Sequence, residues 1–400
     1  MGSTEGLMAT GVPRGGNPPT SAGPVRVQPV KSRGELRSFI NVPWRVYTGD
    51  RAWVPPLRLE RRLHLSSLNP FLDHGSWQGW VAIRGGQVVG RISAQIDELH
   101  RQRYGADTGH FGMLEAEDDH DVFAALFSAA EDWLRGHGTR HVTGPFNFSI
   151  NQECGLLVEG FDTPPSLLMP HARRWFATRV EEQGYVPAMD LLAYWVRVDF
   201  EAPRVMSAVL ARYSSRVRVR MLRRSRLREE LELLRDIFND AWSENWGFVP
   251  FTEAEFAELG QALRLFVDDR LVQIAEVDGA PAAFIVALPN LNEVLAQLDG
   301  SLFPVGWARL LWRLKRHEIR TGRVALMGVR RRYQNRPLGM ALAFQVIDAV
   351  RWALRDLGIG QVEMSWILEN NSGMRNILDS IGSTLYKRYR IYRKELRNGS

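Results

Sequence analysis

The residues best placed to do chemistry lie late in the chain, where Arg330-Arg-Arg-Tyr-Gln-Asn-Arg336 runs into Pro337-Leu-Gly-Met-Ala341. Arg330, Arg331, Arg332 and Arg336 gather positive charge on one loop, and Gly339 falls where a helix is expected to begin. A helix N-terminus offers unpaired N–H groups and the positive end of a dipole, and a glycine there lets the backbone close on a large anion. Guanidinium groups suit phosphate oxygens. The chemistry would be recognition of a pyrophosphate by Val329, Arg330, Arg331, Arg336, Leu338, Gly339, Met340 and Ala341; the plainer alternative is a solvated, arginine-rich turn. A second set lies in residues 144–165, a long segment with polar groups among apolar ones. Asn151 and Glu153 there, and His171 beyond, are candidates for substrate contacts, since such loops tend to serve a site. The same segment could instead brace two parts of the molecule. Cys154 is the one cysteine, so neither an intrachain disulfide nor a cysteine metal cluster is expected, and no metal site is predicted. A small buried side chain, rather than a nucleophile, is its expected role.

These residues need elements to hold them. Residues 324–329, Val-Ala-Leu-Met-Gly-Val, read as a buried strand leading into the arginine loop. From Leu338 to Leu357 apolar residues recur at helical spacing, with Gly358 as a C-terminal cap. A strand over 361–368, the pair Asn370-Asn371, a short helix to Ile381, Gly382 and a strand over 386–392 complete the run. The earlier chain repeats this order. Hairpins turning at Gly85-Gly86 and Asp278-Gly279 each precede a strand, a long helix, a strand, a helix and a glycine. In the first half these are residues 108–114, 122–135, 141–148, 172–183 and Gly184, and a strand over 191–198 is expected to close that half. The first half carries Glu115-Ala-Glu-Asp-Asp119 where the second has its arginines. Carboxylates there would repel a pyrophosphate, so the anion site is expected in the second half alone.

Composition supports two soluble domains. The 400 residues exceed one ordinary core, and 45% hydrophobic with 24% charged residues is a globular balance. A formal charge of +6 and a pI near 9.6 favour anionic partners: a nucleotide-bearing molecule, an anionic membrane surface or nucleic acid. Residues 216–228 hold seven arginines, but no aromatic residue interleaves with them. A solvated charged strand is the preferred reading there, and nucleic acid is not expected. On a helix over 303–320, Trp307, Leu310, Leu311 and Leu314 form an apolar stripe with Arg309, Arg313, Arg316 and Arg320 on the opposite flank. That is the composition of an interfacial helix or of one packed on a core, and Trp312, off the stripe, favours contact with lipid or another apolar ligand. No run of about 18 apolar residues predicts a membrane-spanning helix. Residues 1–24, rich in Gly, Pro, Ser and Thr and without the apolar core of a signal peptide, are expected to form a disordered tail, and the protein is expected in the cytoplasm.

Arg336-Pro-Leu-Gly-Met-Ala341 fits the Arg/Gln-x-x-Gly-x-Gly/Ala pattern of the GNAT acyltransferase superfamily, and over residues 25–396 the chain resembles a tandem GNAT-like protein. More narrowly it resembles the bacterial ceramide synthase family, through Tyr47-Thr-Gly-Asp-Arg-Ala-Trp-Val-Pro-Pro56, residues 144–165, Leu291-Asn-Glu-Val-Leu295, Ser365-Trp-Ile-Leu-Glu-Asn-Asn371 and Tyr386-Lys-Arg-Tyr-Arg-Ile-Tyr392. The resemblance implies an α/β (α+β) fold of two tandem GNAT-like domains, residues 25–200 and 201–400, each a mixed, mostly antiparallel sheet flanked by helices. It also implies transfer of a fatty acyl group from acyl-CoA (acyl-coenzyme A) to the amine of a sphingoid base. Residues 329–341 would form the coenzyme site, with Asn371 nearby, and the protein would sit peripherally on the inner membrane.

Attack by the amine on the thioester would be direct, with N–H groups near Val329 polarising the carbonyl. An ammonium must first lose a proton. Glu363 and Glu369, on or just beyond the strand that should border the acyl group, rank ahead of His171 for that task. One departure stands out: the tyrosine that many GNAT enzymes carry seven positions after this Asn is Leu378 here, and Ser383 replaces the aromatic expected after Gly382. The general acid is therefore unassigned, with solvent or Tyr333 as candidates. Two other classes stay open: a GNAT N-acyltransferase for a small amine, amino acid or peptide, and a non-catalytic regulatory or nucleic-acid-binding protein.

Overall fold

The computed structural model describes residues 23–397; the tail expected over residues 1–24 lies outside them up to residue 22. The first half comprises β1 (Arg26–Pro29), α1 (Arg33–Val46), α2 (Arg58–His64), β2 (Gly75–Arg84), β3 (Gln87–Asp97), α3 (Glu98–Tyr104), β4 (Thr108–Ala116), α4 (His120–Gly136) and β5 (His141–Gly144). The short strands β6 (Phe146–Asn147) and β7 (Glu153–Cys154) follow, then β8 (Leu156–Glu159), α5 (Phe176–Glu182) and β9 (Val186–Arg197). The second half opens with α6 (Arg204–Tyr213), β10 (Val217–Met221), α7 (Leu227–Trp242), α8 (Glu253–Phe266), β11 (Val272–Val277) and β12 (Ala280–Pro289). It continues with α9 (Asn292–Leu295), α10 (Gly306–Lys315), β13 (Thr321–Val329), α11 (Pro337–Asp356), β14 (Gln361–Leu368), α12 (Ser372–Ser380) and β15 (Thr384–Glu395).

Both hairpins turn at the predicted pairs because the turn needs positive φ at two successive positions. Gly85 and Gly86 supply 56° and 76°, Asp278 and Gly279 supply 51° and 82°. The helix expected over 172–183 begins only at Phe176, since Arg173 spends its guanidinium on the Val46 and Thr48 carbonyls at 3.0 and 2.8 Å and so pins the approach. The long helix over 338–357 forms as α11. Among the described residues it is the one helix long and apolar enough to cross a bilayer, and with 56% of its apolar window buried it is a core helix.

Thirteen of the strands form one sheet in the order β1-β2-β3-β4-β5-β15-β9-β14-β13-β12-β11-β10, with β8 also on β15, while β6 and β7 pair as a separate two-stranded sheet. The strand expected to close the first half, β9, lies instead between β15 and β14, antiparallel to both. In exchange, β15 pairs with β5 and β8 of the first half. The physical reason is in β9 itself. Leu191 and Ala193 enter the core of the first half, while Leu192, Tyr194 and Val196 enter that of the second. A strand apolar on both faces belongs in the middle of a sheet.

The arginine run became a sheet edge rather than a free basic patch. Arg216 pairs with Asp278, Arg220 with Glu230 and Glu276, Arg224 with Asp269, Arg226 with Glu229 and Arg228 with Glu253. The stripe predicted over 303–320 splits. Leu310 is buried and Leu314 half-buried on a small cluster with Val294 and Leu295, whereas Trp307, Leu311 and Trp312 are 49%, 40% and 51% exposed.

Candidate active site

Where β13 and β14 run parallel they pair only over Thr321–Val324 and Gln361–Met364, then part. The departure coincides with a register shift in β13, which pairs Leu326 with Val286 and Val324 with Ala287 and so leaves Ala325 as the extra residue of a bulge. Beyond it Ala325, Leu326 and Met327 are half-buried, and they line a wedge whose β13 edge faces no strand. The first half has the same parallel pair, β4 and β5, joined only over Thr108–His110 and His141–Thr143. Its wedge is filled by the chain itself: Asn147 Oδ1 accepts the Met113 amide at 2.8 Å, and the Phe146 carbonyl, which accepts Gln95 Nε2 at 2.5 Å, lies where a side chain on Gly112 would have to stand. The acidic run at 115–119 acts differently from expectation. Glu115, Glu117, Asp118 and Asp119 are spent on Arg91, Arg45, Arg179 and Arg84, so plugging, rather than bare charge, closes this wedge.

At the mouth of the second wedge, Val329 ends β13 and the arginine loop turns into α11. Pro337 takes the first helical position and Arg336 the N-cap, which removes one donor, while Gly339 and Met340 donate to the Arg336 carbonyl at 2.9 and 3.2 Å. Among the described residues the amides of Arg332, Asn335, Arg336 and Leu338 have no acceptor, a set of donors suited to phosphate oxygens. A side chain on Gly339 would collide with the Tyr333 carbonyl, so the loop closes this tightly only over glycine. Arg330 and Arg331 are already committed, to Asp236 and Glu244. Arg336 makes no ion pair among the described residues, and Arg332 only covers the Tyr333 ring at 4.8 Å. The free charge is thus on Arg332 and Arg336, and the residues present fit a pyrophosphate such as that of an acyl-CoA.

Inside, on the paired part of β14, Glu363 is 0% exposed. Its carboxylate accepts from the Tyr386 hydroxyl and, at 2.5 Å, from Ser365 Oγ, and Arg323 Nε lies 3.7 Å away. Arg323 in turn donates to Ser365 Oγ at 2.9 Å and to the Leu167 carbonyl at 2.9 Å. Burial, aided by the Glu363 charge, pushes the Tyr386 phenol well above its ordinary pKa. Tyr386 is nonetheless half-buried rather than buried, which makes it the connected group that reaches outward. Next to it Lys387, 1% exposed, holds the Gly160 and Thr163 carbonyls at 2.6 and 2.7 Å, and burial pushes its pKa down to about 8. Residues 160–171 of the first half therefore roof a cluster built mainly by the second. Asn290 and Asn292 latch the same strap through Leu167 N and the Pro165 carbonyl.

His171 ends the strap. Its Nε2 meets Asp50 Oδ2 at 3.1 Å, and burial lowers its pKa although Asp50 opposes that. Glu369 lies apart: it is exposed, and its carboxylate accepts the Asp190 amide at 3.1 Å. Asn371 caps α12 through Met374 N at 3.0 Å. Asn151 reaches the Val249 carbonyl of the second half at 2.9 Å, and Glu153 is bound to Arg61 at 3.0 Å and Asn147 at 2.8 Å. Both polar ends are engaged in holding segments together. Cys154 is buried, and burial raises its thiol pKa. Sequence reasoning passed over Arg323, Ser365, Tyr386, Lys387 and Asp50 as site residues. A signal existed for Arg323: it is a charge inside an otherwise apolar strand.

A doubled sheet with one open and one self-filled wedge, and a glycine loop at the mouth of the open one, define a tandem GNAT acyltransferase. Solved structures of the same fold agree. A tandem GNAT protein from the clavulanic acid biosynthesis pathway matches 94% of this chain and 100% of its own at a TM-score of 0.55 and 15% identity. A GCN5-related N-acetyltransferase from Sphaerobacter thermophilus matches 95% and 98% at a TM-score of 0.51 and 14% identity. No family model matches the chain. The particular family comes from whole-length relatives. The chain is 48% identical over 373 residues to a protein named Bacterial ceramide synthase from Caulobacter vibrioides (strain NA1000 / CB15N), covering 92% of this chain and 97% of that one. It is 52% identical over 366 residues to Protein YghO of Escherichia coli (strain K12), covering 91% and 94%. It belongs to the bacterial ceramide synthase family.

Proposed function

We propose that this acyltransferase moves a long acyl group from acyl-CoA to the amine of a sphingoid long-chain base, by direct transfer within the second wedge. The observation that carries the reading is the pair of Glu363 and Tyr386: a fully buried carboxylate whose half-buried hydroxyl partner can face the acceptor. The amine nitrogen forms its bond to the thioester carbonyl carbon and passes a proton to the Tyr386 oxygen as Tyr386 gives its own proton to Glu363. The C–S bond then breaks, and the proton returns along the same path to the thiolate, which compensates for the leucine at 378. Backbone N–H groups of β13 at the bulge polarise the carbonyl, and the loop amides with Arg332 and Arg336 hold the phosphates. The name of the Caulobacter relative supports the acceptor class. We take residues 25–200 as the unit without a coenzyme loop and residues 201–400 as the unit that binds acyl-CoA.

The protein works in the cytoplasm against the inner membrane, held by residues 303–320. Phe303, Val305, Trp307 and Trp312 are exposed there beside Arg309, Arg316 and Arg320, a composition that enters the acyl boundary of an anionic surface. The test is thiol release by purified protein over a grid of short- and long-chain acyl-CoA donors with long-chain amino diols, small amines and amino acid amides. Long donor with long-chain base should be fastest. A small amine at the highest rate would assign the protein to the small-acceptor class instead.

A further inference from the structure

The helix α2 is built inside out. Its arginines turn towards the protein: Arg58 lies over the Trp44 ring at 3.7 Å and Arg61 reaches Glu153 at 3.0 Å. Its leucines turn away, Leu59 and Leu63 one turn apart being 49% and 52% exposed, and Leu68 just beyond the helix is 77% exposed. A short helix facing water shows the reverse pattern, so the outer face of α2 is shaped for something apolar. More than half of the large apolar side chains that are exposed among the described residues lie either here or in residues 303–312.

These two segments come from opposite halves of the chain, and they meet. Arg58 N donates to the Gly300 carbonyl at 3.0 Å, and Trp44 Nε1 donates to Asp299 Oδ1 at 2.8 Å. A side chain on Gly300 would run into Trp44 and the Pro56 carbonyl. Below the surface Val54 and Leu57, which lead into α2, share one apolar cluster with Leu310 and Leu314 of α10. Leu167 of the strap packs in that cluster too, and its neighbour Leu168 is exposed. Arg323 binds both of their carbonyls, at 2.9 and 3.4 Å, so the joined surface connects through the strap to the Glu363 cluster.

Charge says what covers it. Arg62 on α2 and Arg309, Lys315, Arg316 and Arg320 on or after α10 are exposed and make no ion pair among the described residues. The carboxylates of the same segments are engaged, Glu60 with Arg61, Glu318 with Arg313 and Asp299 with Trp44. Leucine and tryptophan set among unspent cations is the composition that enters an anionic bilayer. A second copy of the chain would set cation against cation.

We propose that α2 is a second membrane-binding element, and that it and residues 303–320 form one face, shared by both halves, that lies on an anionic phospholipid bilayer. The inference rests on the reading of residues 303–320 as a membrane contact and adds a first-half contribution to it. Held at two places, the molecule takes a fixed orientation, with the strap that roofs Glu363 against the lipid in which a long-chain substrate resides.

The experiment uses the full chain and vesicles of phosphatidylglycerol with phosphatidylethanolamine. Co-sedimentation is measured for wild type and for a triple variant, Leu59→Ser with Leu63→Ser and Leu68→Ser. In parallel, Leu63→Cys in the Cys154→Ala background carries an environment-sensitive fluorophore, with Val205→Cys on α6 as the control position. The triple variant should lower vesicle partitioning by about 10-fold or more. The label at position 63, unlike that at 205, should shift to the blue and be quenched by spin-labelled lipid. Partitioning unchanged in the triple variant, or a label at 63 that lipid does not quench, overturns the inference and leaves residues 303–320 as the whole contact. A triple variant of altered mass in solution, with the label at 63 unquenched, assigns the face to a second copy and overturns it likewise. Wild type that stays in the supernatant at low salt overturns the inference together with the reading beneath it. The labelled protein decides alone if the triple variant does not fold.

Discussion

At the residue scale, the proposed transfer divides labour between Glu363, a fully buried carboxylate, and Tyr386, a half-buried phenol. Glu363→Gln keeps the shape and removes the proton acceptor, so kcat should fall by about 10²–10⁴ while acyl-CoA affinity measured by calorimetry stays within about twofold. Retained turnover would move the base elsewhere, with His171 next. Tyr386→Phe should produce a loss of similar size, because it cuts the same path. Gly339→Ala tests the other end of the site. The added carbon meets the Tyr333 carbonyl, the loop must open, and acyl-CoA binding should weaken by about 10-fold or more in a protein whose circular dichroism is unchanged. Cys154→Ala should keep most of its activity, since direct transfer asks nothing of a buried thiol held in its neutral form. Legibility was uneven at this scale. Gly339 and the arginines announce themselves by type and spacing, and Glu363 by its strand. Tyr386, Lys387 and Asp50 do not, because their meaning depends on chain segments far away in sequence that cover them.

Elements were easier to read than their neighbours. Periodicity and turn chemistry are local, so the two hairpins, α11, β14 and the doubled order follow from the sequence alone. The exchange of β9 and β15 does not, because strand pairing across the whole chain is decided by which faces each strand must bury, and β9 buries both. The same limit applies to α10. Its apolar row is visible as a row, but only the fold tells that Leu310 docks while Trp307, Leu311 and Trp312 stay outside. An exposed tryptophan pair beside arginines sets up a measurement. Trp307→Ser with Trp312→Ser should release the protein from anionic vesicles, and Gln at Arg309, Arg316 and Arg320 should do so in a salt-dependent way, each arginine near the surface being worth about 1 kcal/mol. Arg313 is best left in place, as it is half-buried and reaches the Glu293 carbonyl at 3.3 Å. Equal co-sedimentation of wild type and variants would make α10 a plain surface helix.

At the scale of the whole molecule, the exchanged strands make the halves interdependent, and a titratable clamp adds to this. His74 lies between Asp97 at 3.2 Å and Glu255 of α8 at 3.4 Å. Burial alone would lower its pKa, but the two carboxylates raise it from 6.5 to about 9. A pKa raised in the folded state means that the fold favours the protonated ring. The stabilisation is therefore full below pH 6.5 and is lost as pH rises through about 9. Wild type should unfold at a higher temperature than His74→Gln near pH 6, with the gap closing towards pH 10; a gap independent of pH would deny the clamp its charge. In the proposed mechanism the halves divide the labour: the first, its wedge plugged by its own chain, serves as a roof, and the second, its wedge open, is the proposed place of reaction. The most direct test of that central claim is the product balance of one reaction. Purified wild-type protein is given a long-chain acyl-CoA and a long-chain amino diol, and free thiol, N-acyl lipid and intact protein mass are read from the same tube. The account predicts thiol and amide in equal amounts with no mass added to the protein. Thiol without amide, or an acyl group on Cys154, would contradict it.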